Sequence, residues 1–86
     1  INFLYFCITM SVKVKLVWKF FGVDAFRKAE HHLHHLNEYI QKENIDIIEM
    51  STQLINDVSA ISYIIVLDEF VEKLRLDLKP HQGFLE

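Results

Sequence analysis

The chain has 86 residues, of which 51% are hydrophobic and 24% charged, a balance typical of one small folded domain. Its formal net charge is −3, whereas most dedicated nucleic-acid binders carry an excess of basic residues. Two glycines and one proline exclude a low-complexity linker. The single cysteine, Cys7, excludes an intrachain disulfide and favours a reducing, cytoplasmic compartment.

Residues 1–9 are almost wholly apolar, yet they are too short to span a bilayer and lack the basic start and cleavage site of a signal peptide. We interpret Met10, which follows directly, as the natural start and residues 1–9 as a non-native or upstream extension. The alternative is an apolar strand or arm that packs on a partner. Residues 10–79 then form the single domain and 80–86 a loose tail, with no membrane contact expected.

The first element is a strand, because residues 11–20 alternate between apolar and mostly basic side chains. One face is apolar and predicted to be buried; it consists of Val12, Val14, Leu16, Trp18 and Phe20. The other face carries Lys13, Lys15, Val17 and Lys19 and is predicted to point outward.

A helix is predicted next. Gly22 ends the strand, and Asp24 is typical of a helix N-cap. Apolar residues then recur at spacings of three and four, which predicts an amphipathic helix over 25–42 with a buried stripe of Phe26, Ala29, Leu33, Leu36 and Ile40. We expect it to end near Asn44, because asparagine tolerates a left-handed conformation.

Two further strands follow. Residues 45–55 alternate in polarity, and Asn56-Asp57 is a turn signal. Residues 59–67 are apolar on both faces, which is typical of a central strand. Its two faces are Ile61, Tyr63, Ile65 and Leu67 on one side and Ala60, Ser62, Ile64 and Val66 on the other.

These elements predict an α+β fold of β-α-β-β order. A right-handed helical crossover makes the first two strands parallel. The third strand returns as a hairpin between them, so the sheet has three strands in the order 1-3-2 with one helix packed on one face. Residues 69–79 fit either a helix or a strand; we favour a short C-terminal helix over 69–76, ended by Pro80.

The uncovered face of this sheet predicts self-association. We assign to it three groups of residues, namely Lys13, Lys15 and Val17 of the first strand, Glu49 of the second, and Ala60, Ser62, Ile64 and Val66 of the third. An apolar centre flanked by opposite charges suits a homodimer with a two-fold axis. The predicted function is therefore that of a structural, self-associating or adaptor protein.

The lysines of the first strand raise the alternative of nucleic-acid binding. Basic sheet faces with stacking aromatics bind single strands in other folds. Here Trp18 and Phe20 lie opposite the lysines, and the third-strand residues assigned to the outer face include no aromatic. We therefore expect the lysines to protect an edge strand and expect no nucleic-acid partner.

Four histidines surround Leu33 on the helix, and they carry the alternative function, a ligand- or metal-binding module. At 100° per residue, His31 and His35 lie one turn apart on the outer face, with His34 and Glu38 beside them. Histidines at this spacing bind Zn²⁺, Ni²⁺ or Cu²⁺, so the candidate metal ligands are His31, His34, His35 and Glu38. We favour a solvated helix face over this metal site.

Catalytic motifs are absent from the sequence. It has no Gly-rich phosphate loop, no nucleophile elbow and no Cys–His pair near a helix start. Ser51, Ser59 and Ser62 have no recognisable base beside them. We therefore expect neither enzymatic activity nor a bound cofactor.

Residues 37–51 (NEYIQKENIDIIEMS) and 61–67 (ISYIIVL) resemble a family of short sporulation-associated proteins of spore-forming bacteria. The resemblance covers about residues 10–68 and implies the same strand–helix–strand–strand order, but it supplies no site residues. The order also resembles that of dodecins, which bind flavin in a spherical oligomer. The stacking aromatic of dodecins follows the helix, where this chain has no tryptophan, so no flavin site is expected.

Overall fold

The computed structural model describes residues 12–85, so the predictions about residues 1–9 and Cys7 lie outside the described residues. The elements in chain order are β1 (Lys13–Phe21), α1 (Ala25–Glu43), β2 (Glu49–Asn56), β3 (Ser59–Leu67), a 3-10 turn (Asp68–Phe70), α2 (Val71–Leu78) and β4 (Gln82–Leu85). The fold is α+β, as the sequence predicts.

The strands form one antiparallel sheet in the order β2-β3-β1-β4. Since β3 pairs antiparallel with β1 on one side and β2 on the other, β1 and β2 run parallel, and the predicted order of these three strands is confirmed. The hairpin turns at Asn56, whose side-chain oxygen accepts a hydrogen bond from the Val58 N–H at 2.9 Å. A β-bulge lies between Leu54 and Asn56.

The prediction of three strands and a loose tail was wrong at the C-terminus. Gln82–Leu85 form β4 and pair with β1, from Val14 opposite Leu85 to Val17 opposite Gln82. The backbone N–H of His81 extends this contact by donating to the Val17 carbonyl at 2.8 Å. Backbone groups of β1 on the side away from β3 set the register of β4. Four residues are too few for an alternation of polarity to indicate a strand.

Helix α1 begins and ends close to the predicted residues. Asp24 occupies the N-cap position but makes no capping hydrogen bond; its carboxylate instead lies 3.2 Å from Lys28 Nζ. Asn44 ends the helix in the left-handed conformation, with φ 54° and ψ 46°, as predicted. The next residue, Ile45, donates its N–H to the Ile40 carbonyl and buries its side chain in the core.

The main core lies between the sheet and the two helices. It joins residues of β1, α1, β3 and α2 and the loop residue Ile45, namely Leu16, Trp18, Leu36, Ile40, Ile45, Ile64, Val66 and Leu74. A second cluster packs Ala25 and Ala29 of α1 against Ala60 of β3, so small side chains let the start of the helix approach the sheet closely. Phe26, predicted to be in the buried stripe, is 38% exposed and lies outside both clusters.

The predicted C-terminal helix is confirmed, although it spans Val71–Leu78 and not 69–76. The alternative of a strand over residues 69–79 is wrong. Helix α2 lies beside α1 on the same face of the sheet, because Leu74 packs with Leu16 and Leu36. The Trp18 indole N–H donates to the Leu78 carbonyl at 2.9 Å. The Tyr39 hydroxyl of α1 donates to Asp77. These contacts tie the end of α2 to both β1 and α1.

Neither helix within residues 12–85 has the length and apolar character needed to cross a membrane.

Docking of α2 is testable with two leucines of the same helix. Leu74 is fully buried and Leu76 is 60% exposed. We expect Leu74→Ala to lower the free energy of unfolding by about 2–5 kcal/mol, because it leaves a cavity in the core. Leu76→Ala should change it by less than about 0.5 kcal/mol. Urea unfolding followed by circular dichroism measures both, and equal losses would contradict the packing described.

Candidate functional site

One face of the sheet carries no helix among residues 12–85, and we call it the open face. Strand register assigns its members, because paired residues of antiparallel strands point to the same side. They are Lys13, Lys15, Val17, Lys19 and Phe21 of β1, Ser59, Ile61, Tyr63, Ile65 and Leu67 of β3, Glu49, Ser51 and Gln53 of β2, and Gln82 and Phe84 of β4.

The predicted face of β3 was wrong. Four residues assigned to the outer face, Ala60, Ser62, Ile64 and Val66, lie beneath the helices, opposite Phe20, Trp18, Leu16 and Val14 of β1. The bulkier set, with Ile61, Tyr63 and Ile65, lies on the open face instead. The helix requires a small residue beneath it, and Ala60 meets that requirement. Lys13, Lys15, Val17 and Glu49 lie on the predicted face.

The centre of the open face is apolar and tightly packed. Val17 is 3% exposed and Ile65 9% exposed, although no helix of the described chain lies over them. Lys15 extends across the face, with Nζ 4.3 Å from the centre of the Tyr63 ring. The Tyr63 hydroxyl donates to Glu49 Oε2 at 2.5 Å. A polar chain of Lys15, Tyr63 and Glu49 therefore crosses three strands above the apolar centre.

The position of Tyr63 corrects a second expectation, that the outer face of β3 carries no aromatic side chain. Because the two faces of β3 are exchanged relative to the prediction, Tyr63 lies on the same face as the lysines of β1. Its ring is covered on one side by Lys15, and its hydroxyl is bonded to Glu49. The Tyr63 ring is therefore already in contact with residues of its own sheet, which reduces its value as a stacking platform.

The margins of the open face expose large apolar side chains. Phe21 is 66% exposed and Phe84 47% exposed. Ile55, at the bulge, is 52% exposed and lines a shallow depression of about 310 Å³ together with Phe21 and Ile61. Exposed apolar groups around an already apolar centre are typical of a surface that binds another protein.

The histidines of α1 do not act as one group. His31 and His35 converge, with their Nε2 atoms 3.0 Å apart. His35 Nδ1 lies 3.2 Å from Glu38 Oε1, and His34 Nε2 lies 3.4 Å from Glu38 Oε2. Among the described residues, no group of three or more potential ligands is arranged to hold a metal ion. The four predicted ligands therefore reduce to one converging pair and an acid that contacts two histidines.

Sequence reasoning missed His32 as a distinct residue. Its ring packs against Trp18 and Phe20, with ring centres 5.1 and 5.4 Å apart, and its Nε2 is buried without a hydrogen-bond partner among residues 12–85. Burial, and then the nearby His35, His81 and His31, lower the pKa of His32 below its ordinary value. His32 lies three residues after Ala29 and four before Leu36, and this spacing could have placed it on the buried side of the helix.

A cleft of about 550 Å³ lies beside His32. Its lining combines the Phe20 ring with charged and imidazole side chains, namely Asp24, Arg27, Lys28, His31, His32 and His35. Lys28 Nζ is engaged, since it contacts Asp24 and donates to the Phe21 carbonyl at 3.1 Å. His81, after α2, accepts a hydrogen bond from the Lys19 N–H through its Nδ1 at 2.8 Å.

Comparisons with protein-family models, with curated proteins and with solved structures give no match for this chain. The resemblances to the sporulation-associated family and to dodecins stay predictions.

The buried position of His32 predicts a pH-dependent stability. The folded state disfavours protonation of His32. Near and below pH 6.5, the ordinary pKa of histidine, His32 is therefore protonated more in the unfolded chain than in the folded one. We expect the free energy of unfolding to be highest above that pH and to fall as pH drops from about 7 to 5. His31 and His35 on α1 and His81 after α2 add to the effect, while β1 contributes the uncharged Trp18 and Phe20.

Chemical unfolding at several pH values in EDTA buffer measures this dependence. His32→Leu should flatten the slope, whereas His34→Leu, at an exposed position of the same helix, should leave it nearly unchanged. An unaltered slope in His32→Leu would assign the pH dependence to other groups.

A second buried polar atom gives an independent prediction. Ser62 of β3 is fully buried opposite Trp18, and its hydroxyl has no hydrogen-bond partner among residues 12–85. We expect Ser62→Ala to raise the free energy of unfolding by about 1 kcal/mol, since an unpaired hydroxyl is removed from the core. Ser51→Ala is the control, because the Ser51 hydroxyl donates to the Thr52 carbonyl. A loss of stability in Ser62→Ala would indicate that the hydroxyl has a partner.

Proposed function

We propose that the protein is a self-associating structural or adaptor subunit that forms a homodimer by stacking its open faces. The observation that carries the proposal is the register across the sheet. Ile65 of β3 is the Cα partner of both Lys15 of β1 and Glu49 of β2, so the three residues form one row perpendicular to the strands. Across these three strands the row is basic at β1, apolar at β3 and acidic at β2, and Phe84 of β4 lies beyond Lys15.

The charge order of this row selects a two-fold axis. An axis parallel to the strands and above β3 places Lys15 over the partner's Glu49 and Ile65 over the partner's Ile65. An axis perpendicular to the strands places β1 over the partner's β1, so that lysines meet lysines. Both arrangements keep the strands of the two sheets nearly aligned, which is the common geometry of stacked sheets, so the charge order alone selects the first.

The dimensions of the face are compatible with a stable dimer. Strand spacing and rise give it roughly 500 Å² in projection. Standard interfaces bury about 800 Å² of accessible surface per partner. Accessible surface follows the relief of the side chains, so it exceeds the flat projected area of the same contact. The exposed Phe21 and Ile55 would become buried at one end of the contact, whereas β4 with Phe84 extends beyond the partner's β2.

Stacked in this way, the dimer turns both pairs of helices outward. These outer surfaces would be free to contact other molecules, which is the adaptor part of the proposal. We place this activity in the cytoplasm, with no enzymatic reaction and no cofactor assigned to it.

The mass in solution tests the proposal directly. Sedimentation velocity on the tag-free chain at micromolar concentration should give about twice the 10.2 kDa of one chain. Phe21→Asp should shift the particle towards the monomer, because it places a charge in an apolar contact. Leu76→Asp is the matched control, since Leu76 is similarly exposed but lies on α2, away from the open face.

Charge exchange tests the axis itself. Lys15→Glu and Glu49→Lys should each weaken the dimer by placing like charges opposite each other, and the double variant should restore it. A 10.2 kDa particle at all concentrations, or a dimer insensitive to Phe21→Asp, would overturn the proposal. Salt-dependent binding of a labelled single-stranded oligonucleotide by a monomer would replace it with nucleic-acid recognition by the same face.

A further inference from the structure

We infer that His31 and His35 form a bidentate site for a divalent late first-row transition ion, of the Cu²⁺, Ni²⁺ and Zn²⁺ class, on the outer surface of α1. Imidazole nitrogen suits this class of metal better than it suits Mg²⁺ or Ca²⁺. The site is independent of the proposed dimer, because α1 packs on the face of the sheet opposite to the open face.

The distance between the two rings carries the inference. The Nε2 atoms of His31 and His35 are 3.0 Å apart. Two nitrogens bound to one ion at about 2.0–2.1 Å lie roughly 2.8–3.4 Å apart for angles between 90° and 109°. Both rings are exposed and stand one turn apart in the middle of a 19-residue helix, so an ion could bind without rearrangement of the backbone.

Glu38 supports the same conclusion from the other side of the His35 ring. A carboxylate only accepts hydrogen bonds, so its contact at 3.2 Å fixes the proton of neutral His35 on Nδ1. The Nε2 lone pair then points towards His31. A histidine held by a carboxylate on one nitrogen and bound to metal by the other is the usual arrangement at protein metal sites.

Without a metal ion, the short contact is satisfied by one proton, which His31 donates from Nε2 to His35. Binding of the ion requires that this proton move from Nε2 to Nδ1 of the His31 ring, by exchange with solvent, so that the neutral ring offers its Nε2 lone pair to the ion. No electron transfer is involved, and water completes the coordination on the open side.

The neighbouring histidines are excluded as ligands by their positions. His34 Nε2 lies 3.4 Å from Glu38 Oε2, and no group of three or more potential ligands among the described residues is arranged to hold a metal ion. His32 packs its ring against Trp18 and Phe20, and its Nε2 is buried. The site therefore has two protein ligands, and binding should be weaker than at three- or four-ligand sites.

The experiment is a calorimetric titration of NiCl₂, and separately of ZnCl₂, into tag-free protein at pH 7.5 in a non-chelating buffer. We expect one ion per chain and a rise in melting temperature at saturation. His31→Ala and His35→Ala should each weaken binding at least about 10-fold, because a single imidazole remains. His34→Ala, an exposed histidine of the same turn, should change the affinity less than about 2-fold.

Glu38→Gln should lie between these extremes, with a loss of up to about 10-fold, the lower bound for outer-shell partners of metal ligands. Circular dichroism of each variant checks that the helix is intact. The inference is overturned if no ion binds up to millimolar metal, if several ions bind each chain, or if His34→Ala weakens binding as much as His31→Ala.

Discussion

The antiparallel pairing of β1 with β3 is the constraint on which the rest of the structure depends. It runs without interruption from Lys13 opposite Leu67 to Phe21 opposite Ser59. Because side chains alternate along a strand, placing Leu16 opposite Ile64 in the core also places Val17 opposite Tyr63 on the open face. A slip by one residue would reverse both faces of β3 relative to β1.

The same pairing determines both candidate surfaces. On one side it brings Trp18 and Phe20 beneath α1, where they support the ring of His32 and so orient the turn that carries the other histidines. On the other side it lines up Lys15 and Ile65, and the hairpin then adds Glu49. Each surface is thus a product of strand register more than of any local motif.

How much the sequence predicts depends on how strongly one face differs from the other. The alternation in β1 and the three- and four-residue spacing in α1 are clear, because each element has one polar and one apolar side. Asn44 marks the helix end for a local steric reason. β3 is apolar on both sides, so its own residues could not indicate which side meets the helix. The decisive fact, that Ala25, Ala29 and Ala60 pack together, involves residues far apart in the chain.

Side-chain convergence is the part that spacing can suggest but not establish. The helical wheel places His31, His34, His35 and Glu38 near one another, and the structure selects His31 with His35. β4 was missed for a different reason, since its partner groups belong to β1 and its four residues, one of them glycine, have little strand character of their own.

The bulge between Leu54 and Asn56 has a consequence for colloidal behaviour. Within residues 12–85, β2 is one of the two edge strands of the sheet, so one side of its backbone has no neighbouring strand there and could pair with another chain. A straight edge with exposed Leu54 and Ile55 would be a template for fibril growth. The extra residue bends and twists the strand at that point, which shortens the regular edge and opposes its extension into amyloid.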